Sequence, residues 1–223
     1  MTPDDTVLVF DVNETLLDLS GLDARFEQLF GDPSLCRQWF GQMLQLSFVG
    51  AITGRYLDFP GAQRAALQML ARRQQVVLGA AEEDSLVDAM ASLPPHPDVA
   101  DGLGRLRAAG WRLFSLTNSP LEIAERQLIN AGLRVNLEKV FSADEVKRLK
   151  PAPEAYWFVA RRLNLAPERL CLVAAHAWDV SGALAAGCRA AFVSRGGSVP
   201  SPAGAQPNFE VADISALADR LAT

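Results

Sequence analysis

Residues Val7–Leu17 read VLVFDVNETLL. Val7–Phe10 are four apolar residues in succession, the mark of a strand buried on both faces rather than one with a solvated side. The run ends on a carboxylate, Asp11. A charge at the tip of so hydrophobic a strand is unfavourable unless other groups neutralise or use it. The fold is therefore decided by what else the chain brings to that tip.

Further short apolar runs follow, with helical spacing between them. Thr6–Phe10, Arg112–Leu116, Leu170–Ala174 and Ala190–Ser194 read as buried strands, with a shorter one at Lys139–Ser142. Pro120–Ala131 and Pro153–Leu163 have helical periodicity. Continuous apolar strands alternating with helices predict an α/β fold, a doubly wound parallel sheet covered on both faces, whose sites collect at the carboxyl ends of the strands. From Leu19 to Ser92 no good strand is found, only helical patterns such as Leu35–Ala51 and Pro60–Arg73, and the Pro-rich Leu93–Pro97 leads back to the strands. This predicts a core of residues 1–18 and 93–223 with a helical cap, residues 19–92, inserted after the first strand.

Bulk properties bound the function. The 223 residues suffice for one sizeable core with a smaller insertion. With 49 % hydrophobic and 21 % charged residues the composition is that of a globular protein. The net charge of −5 and the lack of a basic run argue against nucleic-acid and anionic-membrane partners. No apolar stretch approaches the roughly 18 residues of a membrane span. Acidic residues in MTPDDTVLVF stand where a signal peptide carries positive charge, which predicts a cytoplasmic location. Cys36, Cys171 and Cys188 are odd in number and widely spaced, and read as buried thiols.

In a parallel sheet the strand tips converge. The first carries Asp11, the second Thr117-Asn118-Ser119, the third leads to Lys150-Pro151, and the fourth leads to His176-Ala177-Trp178-Asp179. Singly, each has a plain explanation: Asp11 or Asp179 as a helix cap, Lys150-Pro151 as a surface turn, Thr117-Asn118 as turn residues. Together they describe an anionic nucleophile held by a cation and polar donors.

These tips resemble motifs I to IV of the haloacid dehalogenase superfamily, in FDVNETLLD, SLTNSP, the lysine of RLKPAPEAY, and AHAWD. Within it the chain is most similar to the type II 2-haloacid dehalogenases, through Gly54–Phe59 (GRYLDF), Lys150–Tyr156 (KPAPEAY) and Trp178–Ala183 (WDVSGA). The resemblance implies the following roles. Asp11 displaces halide at C2, and water then hydrolyses the resulting ester. Lys150 keeps Asp11 and Asp179 ionised, and Thr15 and Thr117 orient Asp11 or hold the substrate carboxylate. Asn118 donates toward substrate or halide, Tyr156 positions Lys150 or the carboxylate, and Trp178 walls the halide pocket. It also implies a small halocarboxylate substrate of (S) configuration, a homodimer, and neither metal nor other cofactor.

Most superfamily members instead transfer phosphoryl groups, with Mg²⁺ and an aspartate two residues after the nucleophile as general acid. That position is Asn13 here, which has no proton to give, and the earlier acidic position of motif IV falls near Ala174-Ala175. Carbon–halogen cleavage needs neither group, because halide leaves without a proton.

Two departures from the type II pattern stand out. Phe40 follows Trp39 where an arginine ordinarily helps extract halide, a loss on the order of 2–4 kcal/mol by analogy with a removed oxyanion donor. Arg37, one turn away, is a candidate substitute. Ala174-Ala175-His176 replaces Ser-Ser-Asn, and His176, near its ordinary pKa, is expected either to activate the hydrolytic water together with Asp179 or to be a hydrogen-bonded structural residue. His96 reads as a loop residue, and Glu14 has no assignable role. A phosphatase-like hydrolase and a carboxylate-binding protein without turnover remain as alternatives.

Overall fold

The computed structural model describes residues 1–222. Six strands, β1 (Val7–Phe10), β2 (Leu113–Thr117), β3 (Lys139–Ser142), β4 (Leu170–Ala174), β5 (Arg189–Val193) and β6 (Phe209–Val211), form one sheet in the order β3-β2-β1-β4-β5-β6. Every neighbouring pair is parallel. All residues of β1, β2 and β4 are buried, as continuous apolar runs in a sheet covered on both faces require. β1 lies in the middle, and the strand order reverses between it and β4. Asp11 therefore sits at the switch point where the crevice of a doubly wound sheet opens. β6 was not among the expected strands: three residues, only one of them buried, leave too short a pattern.

The helices are α1 (Asp23–Phe30), α2 (Leu35–Ile52), α3 (Phe59–Gln74), α4 (Ala80–Ala89), α5 (Val99–Ala108), α6 (Leu121–Asn130), α7 (Pro153–Leu163), α8 (Ala177–Ala185) and α9 (Ile214–Leu221). Between β1 and α5 the described residues form helices and the turns and loops that join them. Asp58 caps α3 by accepting the Gly61 N–H at 2.8 Å, with Pro60 in the first turn. Trp39 and Met43 of α2 and Ala62, Ala66 and Leu67 of α3 bury one shared face. The Trp39 indole N–H donates to the Gln63 carbonyl at 3.0 Å, which fixes the two helices to each other.

The chain leaves and re-enters the sheet side by side. Asp18 N–H donates to the Pro94 carbonyl at 2.7 Å, and His96 N–H to the Leu16 carbonyl at 3.0 Å. A second tie runs from Tyr56, between α2 and α3, whose hydroxyl donates to Asp144 just after β3; Lys147 lies over the Tyr56 ring at 5.0 Å. These contacts hold α2 and α3 above the strand tips.

One glycine positions the site. A Cβ at Gly182 of α8 would lie 2.5 Å from Pro151 Cβ and 2.7 Å from the Tyr156 hydroxyl. Only a residue without a side chain lets α8 approach both the Lys150-Pro151 segment and α7 so closely. Gly182→Ala is expected to destabilise the fold by about 1–3 kcal/mol by overpacking and to lower activity with it. A denaturation midpoint equal to that of the wild type would show that this approach is slack.

Candidate active site

The β1, β2 and β4 tips and the segment after β3 deliver their side chains to one buried cluster. Lys150 is 1 % exposed, and its Nζ lies 2.8 Å from Asp11 Oδ1 and 2.6 Å from Asp179 Oδ2. The ammonium thus bridges the two carboxylates, in the position from which they could otherwise share a divalent cation. Asp179 stands in the first turn of α8, yet its side chain caps nothing: Oδ1 accepts the Tyr156 hydroxyl at 2.5 Å. Asn118 fixes the lysine from behind, donating to its carbonyl at 3.1 Å and accepting its N–H at 2.7 Å.

Asp11 Oδ2 is held separately. The Thr15 hydroxyl donates to it at 2.7 Å and itself accepts the Ala175 N–H at 3.0 Å. The Thr15 carbonyl in turn accepts from the Arg195 guanidinium, which is paired with Asp98. His176 Nδ1 lies 3.2 Å from the same Asp11 oxygen, and its Nε2 lies 2.9 Å from Glu14 Oε2.

The charges are unequal in their setting. Burial alone would raise the Asp11 carboxyl, but the Lys150 ammonium and His176 outweigh it and hold Asp11 well below the usual carboxylate range. Burial and the nearby negative charge of Asp11 push Asp179 up, against the pull of Lys150 and Tyr156. Of the two acids, Asp11 is the more firmly ionised. Burial would lower Lys150, and Asp11 and Asp179 together raise it. Burial would lower His176 too, but its hydrogen bonds to Asp11 and Glu14 raise it from 6.5 to about 9. The imidazole is therefore cationic at neutral pH.

Phe40 and Leu44 of α2 and Phe59 of α3 close over this cluster, leaving about 10 Å³ among Asp11, Asn13, Thr117, Asn118, Lys150, His176 and Trp178. That is room for about one water. Phe40, His176 and Trp178 form a stack, with ring centroids 6.0 Å and 5.1 Å apart. Asn13 is fixed by two neighbours: its amide nitrogen lies 3.4 Å from Ser119 Oγ, and its carbonyl accepts from Gln127 at 3.0 Å.

Asp11, Thr15, Lys150, His176 and Asp179 thus meet, and Thr117, Asn118, Trp178 and Phe40 line the cavity. Three expectations change. His176 does not pair with Asp179 and is not near its ordinary pKa; it is an imidazolium between Asp11 and Glu14. Tyr156 lies behind Asp179, donating to its Oδ1, and is not among the residues that line the cavity. Arg37 faces a different cavity, of about 330 Å³, on the far side of Glu14, and does not replace an arginine at position 40. Glu14 was left without a role by the sequence. Its one signal is its place in VLVFDVNETLL, three residues after Asp11. The three cysteines are buried, and burial pushes each thiol up to about 12.

A family model described as haloacid dehalogenase-like hydrolase matches residues 6–187. An (S)-2-haloacid dehalogenase of Pseudomonas sp. (strain YL) is 28 % identical over 97 % of this chain and 94 % of its own length. (S)-2-haloacid dehalogenase 1 of Pseudomonas sp. (strain CBS-3) is 31 % identical over 84 % and 83 %. A crystal structure described as that of a dehalogenase superposes with a TM-score of 0.92 over the whole of both chains, at 28 % identity.

The His176 charge has a measurable consequence. Because its folded pKa is above the unfolded value, its contribution to stability is complete below pH 6.5 and is lost as pH rises through about 9. Between those limits stability should fall by up to about 3 kcal/mol in wild type and much less in His176→Asn. A His176 ring-proton resonance, assigned by its loss in His176→Asn, that titrates near 6.5 in the folded protein would contradict the charge assignment.

Proposed function

The chain belongs to the haloacid dehalogenase-like hydrolases, and we propose that it hydrolyses the carbon–halogen bond of small (S)-2-haloacids through an ester on Asp11. The substrate class follows the names of its relatives, which are (S)-2-haloacid dehalogenases. One observation carries the mechanism: a buried ammonium, Lys150, balances the nucleophile, so that a monoanionic substrate can approach Asp11. In this reading residues 19–92 act as the cap over a core of residues 1–18 and 93–223.

Asp11 attacks C2 of the substrate. The new C–O bond forms as the C–halogen bond breaks, and halide departs with the bonding pair and no proton. Thr15 holds one carboxylate oxygen and Lys150 the other, so the attacking group is aligned before substrate arrives. In this reading the Thr117 hydroxyl and the second amide hydrogen of Asn118 receive the substrate carboxylate. Phe40 and Trp178 wall the side on which halide leaves. Phe40 brings no charge, but it stacks on the His176 imidazolium, which puts positive charge in the cavity wall. Water then attacks Cγ of the Asp11 ester. The Cγ–O bond to the acyl chain breaks, giving a 2-hydroxy acid, regenerated Asp11 carboxylate and one proton.

Phosphoryl transfer is the weaker reading. Asn13 has no proton to give a leaving alcohol, and Gln127 and Ser119 hold it in place. A homodimer located in the cytoplasm goes with the dehalogenase reading, and sedimentation of the purified protein checks the first part.

Halide release from 2-chloropropionate should be insensitive to EDTA and vanish in Asp11→Asn. In a single turnover with excess enzyme in heavy-oxygen water, the label should enter the Asp11 carboxylate and not the product. Label found directly in the 2-hydroxy acid would mean that water, not Asp11, attacks carbon. Hydrolysis of p-nitrophenyl phosphate that depends on Mg²⁺, without halide release, would favour the phosphatase.

A further inference from the structure

Phe40, Leu44, Phe48 and Ile52 of α2 stand four residues apart, a spacing that puts them in one row along the helix. Phe40 and Leu44 cover the closed cavity over Asp11. Phe48 and Ile52 line an open groove of about 790 Å³. The facing wall continues in the same way. Lys150 borders the closed cavity, while its neighbours Leu149 and Pro151 line the groove. Trp178 borders both spaces. Its ring meets Phe48 edge-on with centroids 5.3 Å apart, and stacks on His176 at 5.1 Å. The buried Trp178 indole N–H has no hydrogen-bond partner, so packing alone holds the ring. The groove has the chemistry of a hydrocarbon site. Its one charged lining residue, Arg148, is already paired with Glu154 at 3.0 Å. Ile52 is 85 % exposed and Val49, one turn back, 49 %, so the end of α2 presents a contiguous apolar surface rather than a scattered residue.

We propose that this groove is the subsite for the alkyl tail of the substrate, so that 2-haloacids with several carbons beyond C2 are better substrates than 2-halopropionates. The proposal rests on the dehalogenase reading above and extends the class of acid it names. The carboxylate and C2 stay where that reading puts them, at Thr117, Asn118 and Asp11. The tail leaves C2 between Trp178 and Phe48 and lies along the row from Leu44 to Ile52, about 12 Å of helix. Phe48 and Ile52 stand on α2, so a movement of α2 that admits the head group also parts Phe48 from Trp178 and joins the two spaces. A tail lying in that seam keeps them joined when α2 returns. No unpaired charge in the groove answers a second ionised group, which disfavours a carboxylate or an amine at the far end of the tail. Ile52 and Phe48 thus set chain-length specificity and take no part in bond making at Asp11.

The experiment measures halide release from (S)-2-bromo acids of increasing length, from propionate through butanoate to hexanoate, by wild type, Ile52→Asp and Ile52→Leu. In wild type kcat/KM should rise about three-fold for each added methylene, chiefly through KM, because the tail is held alike in ground and transition states. Ile52→Asp should lower the hexanoate-to-propionate ratio of kcat/KM on the order of ten-fold, and Ile52→Leu should keep it. The ratio is taken within one preparation, so any loss of folded enzyme cancels. A wild-type kcat/KM that falls with each methylene would overturn the proposal, as would a ratio that Ile52→Asp leaves unchanged. Sedimentation of both proteins addresses the other occupant. A dimeric wild type beside a monomeric Ile52→Asp would assign the groove to a second copy of the chain, and the tail subsite would fall. Wild type releasing no halide from any of the acids would instead overturn the function on which the proposal rests.

Discussion

The site depends on one buried ammonium. Moving a lysine head group out of water costs several kcal/mol, and so does burying each carboxylate. Lys150 at 1 % exposure is tolerable only because Asp11 and Asp179 meet its Nζ at 2.8 and 2.6 Å. Each member of this triad would be an uncompensated charge without the others. Much of the nearby structure serves the fit. Asn118 holds the backbone of Lys150, Tyr156 occupies the remaining oxygen of Asp179, and Gly182 lets α8 come close enough for both. The triad also sets which acid is the more firmly ionised. Asp11 has the lysine, Thr15 and His176 on it and stays the anion, whereas Asp179, buried entirely, is pushed the other way.

The closed cavity follows from the helices that cover it. Phe40, Leu44 and Phe59 bring apolar surface down onto the strand tips, which excludes water and strengthens every charge interaction beneath. Admitting a haloacid to a space of about one water would require α2 and α3 to part from the sheet. The connections suit such a movement. The two crossing segments are paired at Asp18–Pro94 and Leu16–His96, a narrow joint, while the outer tie at Tyr56 and Asp144 is made by side chains on the surface.

What could be read from the sequence was whatever a strand tip fixes. VLVF and LCLVA are apolar throughout and LFSLT is broken only by Ser115 and its terminal Thr117, so their direction and their ends are clear, and the residues that follow them must meet. That logic placed Asp11, Thr117, Asn118, Lys150, His176 and Asp179 together. It could not show side-chain direction within a helix. Tyr156 and Arg37 each lie in or beside a motif, yet one turns behind an acid and the other into a separate cavity. Nor could it show the partner of His176. An imidazole at a helix start can swing toward Asp179 or toward the β1 turn, and the choice is made by Glu14, whose left-handed backbone has no signature in composition. β6 was lost because an edge strand of three residues carries too little pattern.

Phe40, His176 and Glu14 are best understood as one exchange. A guanidinium at position 40 would bring a second permanent cation to a cavity that already holds an imidazolium, with the two in ring-stacking range. Desolvated like charges at that distance repel by several kcal/mol. An apolar ring at 40 removes the conflict and leaves the positive charge on a group that can lose it. That charge depends on the state of Asp11, since Asp11 and Glu14 are the two carboxyl groups bonded to the imidazole. A permanent cation would favour halide departure and then stay to oppose removal of a proton from water. The imidazolium at 176 is instead held between Asp11 and Glu14, 3.2 and 2.9 Å away.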